Sequence, residues 1–165
     1  MTELELQAQV ADYIRLQYPT AIFHSDFGSG IKLTMGQAIK QKRLNGGRRS
    51  WPDMFLAEPY IPKAYCRELT EEERKEVEAK LGGLDGIACA KFLYSYYGLF
   101  IELKREGTRI FKKDGKLVAD EHIREQFDML SDLRARGYAA EFACGFDEAK
   151  KLIDDYMEGE YAHID

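Results

Sequence analysis

Apolar residues at the start of the chain recur at helical spacing. Leu6, Val10, Tyr13, Ile14 and Gln17 trace one stripe, Thr2 and Glu5 form a capping box ahead of it, and Pro19 closes the segment. Ala21-Ile22-Phe23-His24 predicts a short strand, with a turn at Gly28-Ser29-Gly30. Thr34 to Leu44 returns to helical spacing through Met35, Ile39 and Leu44, until Asn45-Gly46-Gly47 breaks it. Trp51-Pro52-Asp53-Met54-Phe55-Leu56-Ala57 then predicts a strand ended by Glu58-Pro59. From about 60 to 92 the pattern changes character. Thr70-Glu71-Glu72-Glu73 caps a charged helix that stops at Gly82-Gly83, and its alternating charges predict a solvated face. Phe92 to Lys104 resumes the strand pattern, and Ile110 to Val118 reads as a hairpin around Asp114-Gly115. Asp120 caps a helix with its stripe at Ile123, Phe127, Leu130 and Leu133, ended by Gly137. Ala139 to Cys144 is a last strand, and Asp147 opens a final helix through Leu152, Ile153, Tyr156 and Met157.

That order predicts a mixed α/β layer structure in one domain spanning 1–165. At 165 residues and 45% hydrophobic, the chain is long enough for one proper core. Ten tyrosines and nine phenylalanines argue against disorder. No apolar run approaches a membrane span and the N-terminus lacks a basic-then-apolar leader, so a soluble, cytoplasmic protein with no membrane partner is expected. Cys66, Cys89 and Cys144 are widely spaced without a Cys-x-x-Cys, which predicts packing residues rather than a zinc knuckle or a disulfide framework.

The net charge of −5 argues mildly against a nucleic-acid partner, but the charge is unevenly distributed. Between Phe27 and Pro52 there is no acid, while Lys32, Lys40, Lys42, Arg43, Arg48 and Arg49 all fall there. The section from Asp147 onward is mostly acidic. A basic face with an acidic back can hold a polyanion on one side, so this stretch is expected to contact DNA phosphates, with Lys112 and Lys113 at the hairpin tip as a second grip. Solubility alone is the competing account of these cations.

The candidate chemistry lies in Leu99-Phe100-Ile101-Glu102-Leu103-Lys104, taken with Pro52-Asp53. Side chains alternate along a strand, so Glu102 and Lys104 share a face, an unusual pair for a buried strand. If the Asp53 strand pairs with this one, two carboxylates and one amine converge. Carboxylate oxygens with room for water suit a hard cation such as Mg²⁺. Of the two early glutamates, Glu5 is accounted for as the capping-box partner. Glu3, at about 100° per residue, falls on the core-facing stripe and is the better candidate for reaching such a site. The competing account of Glu3 is a solvated first-turn acid favoured by the helix dipole. His24 lacks a second ligand at metal spacing and is expected to be packed or backbone-bonded near the cleft. Gln126 lies on a buried stripe and needs a partner.

The ordered set Pro52-Asp53, then Glu102-Leu103-Lys104, resembles the PD-(D/E)XK nuclease signature. More closely, the chain is similar to the VRR-NUC family of small stand-alone phage and bacterial nucleases, from Glu3-Leu4-Glu5-Leu6-Gln7 through Gly47-Arg48-Arg49-Ser50-Trp51-Pro52-Asp53 and Gly98 to Lys104, on to Glu125-Gln126 and Gly137-Tyr138. The resemblance implies a restriction-endonuclease-like mixed sheet flanked by helices. The segment from about 60 to 92 would be a helical insertion between the Asp strand and the Glu-x-Lys strand, a departure from the direct passage common in the family. It further implies Mg²⁺ or Mn²⁺ held by Asp53, Glu102, the Leu103 carbonyl and Glu3, a catalytic Lys104, and Gln126 beside that lysine. DNA, including four-way junctions, is the implied substrate, cut by a homodimer. A non-catalytic nucleic-acid or partner-binding module, with the same residues as a structural ion-pair cluster, is the competing reading.

Overall fold

Thr2 accepts a hydrogen bond from the Glu5 amide, and the Glu5 carboxylate accepts one from the Thr2 amide. This reciprocal cap starts helix α1 (Glu3–Gln17), whose buried positions are Leu6, Gln7, Val10 and Ile14. The computed structural model describes residues 1–26, 34–46, 50–63, 71–72, 75 and 96–162. The remaining elements are β1 (Phe23–Ser25), α2 (Met35–Leu44), β2 (Met54–Leu56), β3 (Leu99–Lys104), α3 (Glu121–Arg134), β4 (Ala139–Cys144) and α4 (Phe146–Met157).

The four strands form one mixed sheet in the order β1-β2-β3-β4, antiparallel except for the parallel pair of β3 and β4. Period-two alternation divides β3 between two faces. Leu99, Ile101 and Leu103 join Leu6, Val10, Ile14, Met54, Leu56, Ile153 and Tyr156 in the main core, under α1 and α4. On the other face Ala140 packs with Met129, Leu130 and Leu133 of α3, with Phe100 and Tyr138 beside them. A mixed α/β sheet flanked by helices is therefore the architecture, as the alternation of periods predicts.

Several local expectations shift. Gln17 and Glu3 are exposed, so the core-facing stripe of α1 is shorter than its spacing implies. Met35, Ile39 and Leu44 are all exposed and α2 buries no residue, although Thr34 and Gln37 cap it reciprocally. The 110–118 segment is a single bridge, Phe111 to Leu117, rather than two strands. Most of the 60–92 segment lies outside the described residues, as do Cys66, Cys89 and the Gly28-Ser29-Gly30 turn. Its described start is no surface excursion: Tyr60 is buried among Tyr96, Tyr156 and Tyr161, and its amide bonds the Tyr96 carbonyl at 2.9 Å.

Candidate active site

Strand β2 runs against β3 with Met54 opposite Ile101 and Phe55 opposite Phe100. One step further along the same register brings Asp53 against Glu102. Trp51, Asp53 and Phe55 alternate onto the face shared by Phe100, Glu102 and Lys104. Asp53 and Glu102 are both buried, at 7% and 2% exposure, as is Lys104 at 6%. The Leu103 amide donates to Asp53 Oδ2 at 2.9 Å, and Lys104 Nζ donates to Glu102 Oε1 at 2.9 Å. Burial first, and then the Asp53 charge, push the Glu102 carboxyl up to about 8 against the pull of Lys104.

Two buried amides hold this arrangement. Gln7 Nε2 donates to Ser25 Oγ, the Asp26 carbonyl and the Asp53 carbonyl, so α1 ties β1 to the residue that carries the first acid. Gln126 Nε2 donates to Glu102 Oε1 and meets His122 Nε2 at 3.1 Å, one helical turn earlier on α3. If His122 accepts from the amide in turn, its proton sits on Nδ1. Gln126 Oε1 is left buried with no hydrogen-bond partner among the described residues. The family resemblance implies Gln126 beside the lysine; its bond goes to Glu102 Oε1, the same oxygen that Lys104 Nζ donates to.

A cleft of about 470 Å³ opens over the acids. Asp53, Glu102 and Gln126 line it together with Asp26, His122, Trp51 and residues of α2, including Met35, Ile39 and Lys42. Neither Lys104 nor Glu3 is among the described lining residues. Glu3 is exposed in the first turn of α1, yet its charge reaches Glu102 as the smallest of the influences that raise it. Lys40, Lys42 and Arg43 are exposed on α2, and Lys112 and Lys113 are exposed at the turn. Lys32, Arg48 and Arg49 lie outside the described residues. His24 is exposed on β1, opposite Phe55 in the pairing and alternating away from Phe23 and Ser25, so of the two expectations for it, packed or backbone-bonded, packing is not met.

No family model matches the chain, and no curated protein does. Among solved structures, one described as a VRR_NUC domain protein matches over 99% of this chain and 98% of its own, with a TM-score of 0.53 and 19% identity. The two chains share a fold. On that VRR_NUC fold, the described residues place the two acids of the Pro-Asp and Glu-x-Lys stretches next to each other. Among the described residues, no three His, Cys, Asp or Glu side chains converge as a metal-binding group. Reading the sequence missed three participants. Gln7 stands inside the quoted N-terminal motif and its burial was signalled by its place three residues before Val10 and seven before Ile14, whereas nothing in the local pattern marks His122 or Asp26 as cleft residues.

Proposed function

We propose that the protein is a metal-dependent DNA endonuclease of the small VRR-NUC type, acting on DNA structure, such as branched or four-way-junction DNA, rather than on a base sequence, and working as a homodimer. What carries this reading is the buried pair of carboxyl groups, Asp53 and Glu102, on one sheet face at the floor of an open cleft. Two carboxylates confined together disfavour each other's ionisation, and a divalent cation is the simplest group that resolves the conflict. The donor chemistry fits Mg²⁺ or Mn²⁺. Asp53 and Glu102 would supply oxygens, and the Leu103 carbonyl a third. That carbonyl leaves β3 on the same edge as the Leu103 amide, toward Asp53. In the continued register the residue opposite is Pro52, which has no N–H to donate to it. Glu3, exposed in the first turn of α1, would complete the set through water.

When bound, the ion would neutralise charge on the scissile phosphate and lower the pKa of a water. Lys104 is assigned to orient or deprotonate that water, which requires its ammonium to leave Glu102 Oε1. Gln126 holds Glu102 in place, and its orphaned Oε1 is an acceptor available to a water in the site. Lys32, Lys40, Lys42, Arg43, Arg48, Arg49, Lys112 and Lys113 would contact backbone phosphates without reading bases.

Purified protein should nick or cut junction DNA with Mg²⁺ or Mn²⁺, fail with chelator, and lose cutting in Glu102→Ala and Lys104→Ala. Metal-independent DNA binding without cutting would defeat the proposal. One observation favours the second reading, a binding module with a structural ion-pair cluster: Lys104 is paired and away from the cleft lining. In that case Glu102→Ala leaves DNA affinity intact and no cleavage is seen in any variant.

A further inference from the structure

Helix α2 is amphipathic, and its apolar side is turned toward the cleft rather than the core. Met35, Ala38, Ile39, Lys42 and Asn45 recur at i, i+3, i+4, i+7 and i+10, and all five line the cleft over Asp53 and Glu102. Met35 is 82% exposed and Ile39 is 64% exposed, so this stripe stays wet in the free protein. Trp51, also lining the cleft, is 38% exposed, and its Nε1 donates to the Asn45 carbonyl at 3.4 Å. Behind Trp51 lies a row of rings. Phe100 stands 6.3 Å from it and stacks on Phe55 at 4.3 Å, and Tyr138 meets Phe100 edge-on at 5.2 Å. Gly98 makes that row possible: a Cβ there would meet the Phe55 ring at 2.6 Å.

Such walls are ill matched to a paired duplex, whose bases hide their faces and present sugar, phosphate and groove edges. They match an unstacked base, which offers a π-face to an aromatic ring and apolar surface to aliphatic side chains. Helix α2 contains no acid and carries Lys40, Lys42 and Arg43, so the same element that supplies the apolar wall complements a phosphodiester chain. At about 470 Å³ the cleft is within the size range of small-ligand sites.

We propose that this cleft takes an unpaired nucleotide of a DNA strand, its base between Trp51 and the Met35–Ile39 stripe and its phosphates along Lys42, beside the Asp53/Glu102 pair. The proposal rests on the nuclease reading for its choice of DNA and deepens it: the substrate feature selected is an unpaired base next to the bond to be cut.

Trp51 is the chain's one tryptophan, so its emission reports on this cleft alone. The intact protein, in chelator to prevent cutting, is titrated with a blunt duplex, the same duplex carrying an unpaired thymine arm, and thymidylate. Quenching by the armed duplex and not by the blunt one is expected. Met35→Ser with Ile39→Ser, both exposed and so no risk to folding, should weaken arm binding by about tenfold and leave duplex affinity unchanged. Trp51→Ala should do the same, with partial retention in Trp51→Phe, both read by anisotropy of labelled DNA. Equal quenching by both duplexes, unchanged arm affinity in the serine variant, or thymidylate alone binding as tightly as the arm would each overturn it. So would a serine variant whose only change is in molecular mass by light scattering, which assigns the stripe to a second copy of the chain. Metal-dependent cutting of blunt duplex without quenching by the arm ends this inference and leaves the nuclease. Quenching by the arm in a protein that cuts no DNA with Mg²⁺ or Mn²⁺ keeps the nucleotide cleft and ends the hydrolytic reading.

Discussion

Two glutamates on neighbouring strands are both buried and surrounded quite differently. Glu141 of β4 receives Arg134 Nη2 on one oxygen at 2.9 Å and the Tyr161 hydroxyl on the other at 2.6 Å. Glu102 of β3 receives both of its donors on Oε1 and faces a second carboxylate across the strand pair. The first arrangement matches donors to acceptors and ties the C-terminal segment to the sheet. The second crowds two carboxyl groups where water is scarce, with Lys104 and Gln126 both on one oxygen, which costs stability that a bound divalent cation would recover. A carboxylate whose surroundings satisfy it is a fastener, and one whose surroundings crowd it is the better candidate for chemistry.

The sharpest way to break this contrast is Glu102→Gln. Cleavage should fall by more than the roughly 10–100-fold typical of losing a group behind a metal ligand. In chelator, two effects oppose each other at the thermal midpoint: the amide removes repulsion with Asp53, and it leaves the buried Lys104 ammonium without its charged partner, so a small fall is expected. A large drop in midpoint with activity retained would make Glu102 a second Glu141. Next in size is Gln126→Leu, which removes the donor that holds Glu102 from α3. A loss of about 10–100-fold in cutting, with little change in urea midpoint, is expected, since the orphaned Oε1 disappears along with the bond.

Much of this was legible beforehand, for a physical reason. Alternation in Leu99 to Lys104 and in Trp51 to Ala57 leaves only one face on which their charges can meet, so the strand pair and its acids follow from period two. Strand β4 and the caps at Thr2 and Asp120 were readable because each is encoded within a few residues. Helix α2 was readable as a helix but not as an unburied one, because spacing reports amphipathicity and says nothing about what covers the apolar side. The Gln7 bonds to Ser25, Asp26 and Asp53 span up to 46 positions and depend on β1 docking beside β2, which no local pattern carries. Gln126 Nε2 bonds Glu102 because it is a donor and, of Glu102 and Lys104, only the carboxyl accepts, so which of the two it would touch was not legible from its place on a stripe.

Glu141→Gln tests the other side of the comparison and should be smaller in consequence. Arg134 would lose its charged partner while keeping its bond to the Ala140 carbonyl, and the part-exposed guanidinium can turn to water, so a loss of about 2 kcal/mol in unfolding free energy is expected. Cleavage per folded molecule should not change, as measured by activity normalised to the native fraction. Reduced activity at full folding would mean that the Glu141 cluster communicates with the site, and the separation into fastener and reactive pair would fail.

The smallest effect expected is at a third carboxylate, Asp154 of α4, which extends the contrast to pH. Burial by itself would raise this carboxyl, but hydrogen bonds from Lys150, Tyr13 and Tyr18 outweigh it and hold Asp154 below its ordinary range. In a folded protein whose acid is depressed, the unfolded chain takes up the proton first as pH falls. The stabilisation is therefore complete above about pH 4 and drains away as pH drops through the lower folded value. The same cluster acts with the opposite sign in alkali. Burial and the Asp154 bond raise both Tyr13 and Tyr18, so their contribution is complete below about pH 10 and is lost as pH climbs beyond it. Asp154→Asn should cost about 1 kcal/mol at neutral pH, measured by urea unfolding. The gap from wild type should close on acidification, since protonating the carboxyl does much of what the amide does. A gap that stays constant from neutral pH down through the acid range would mean that Asp154 acts by packing rather than as a satisfied charge, and matching donors to acceptors would no longer separate the quiet carboxylates from the crowded one.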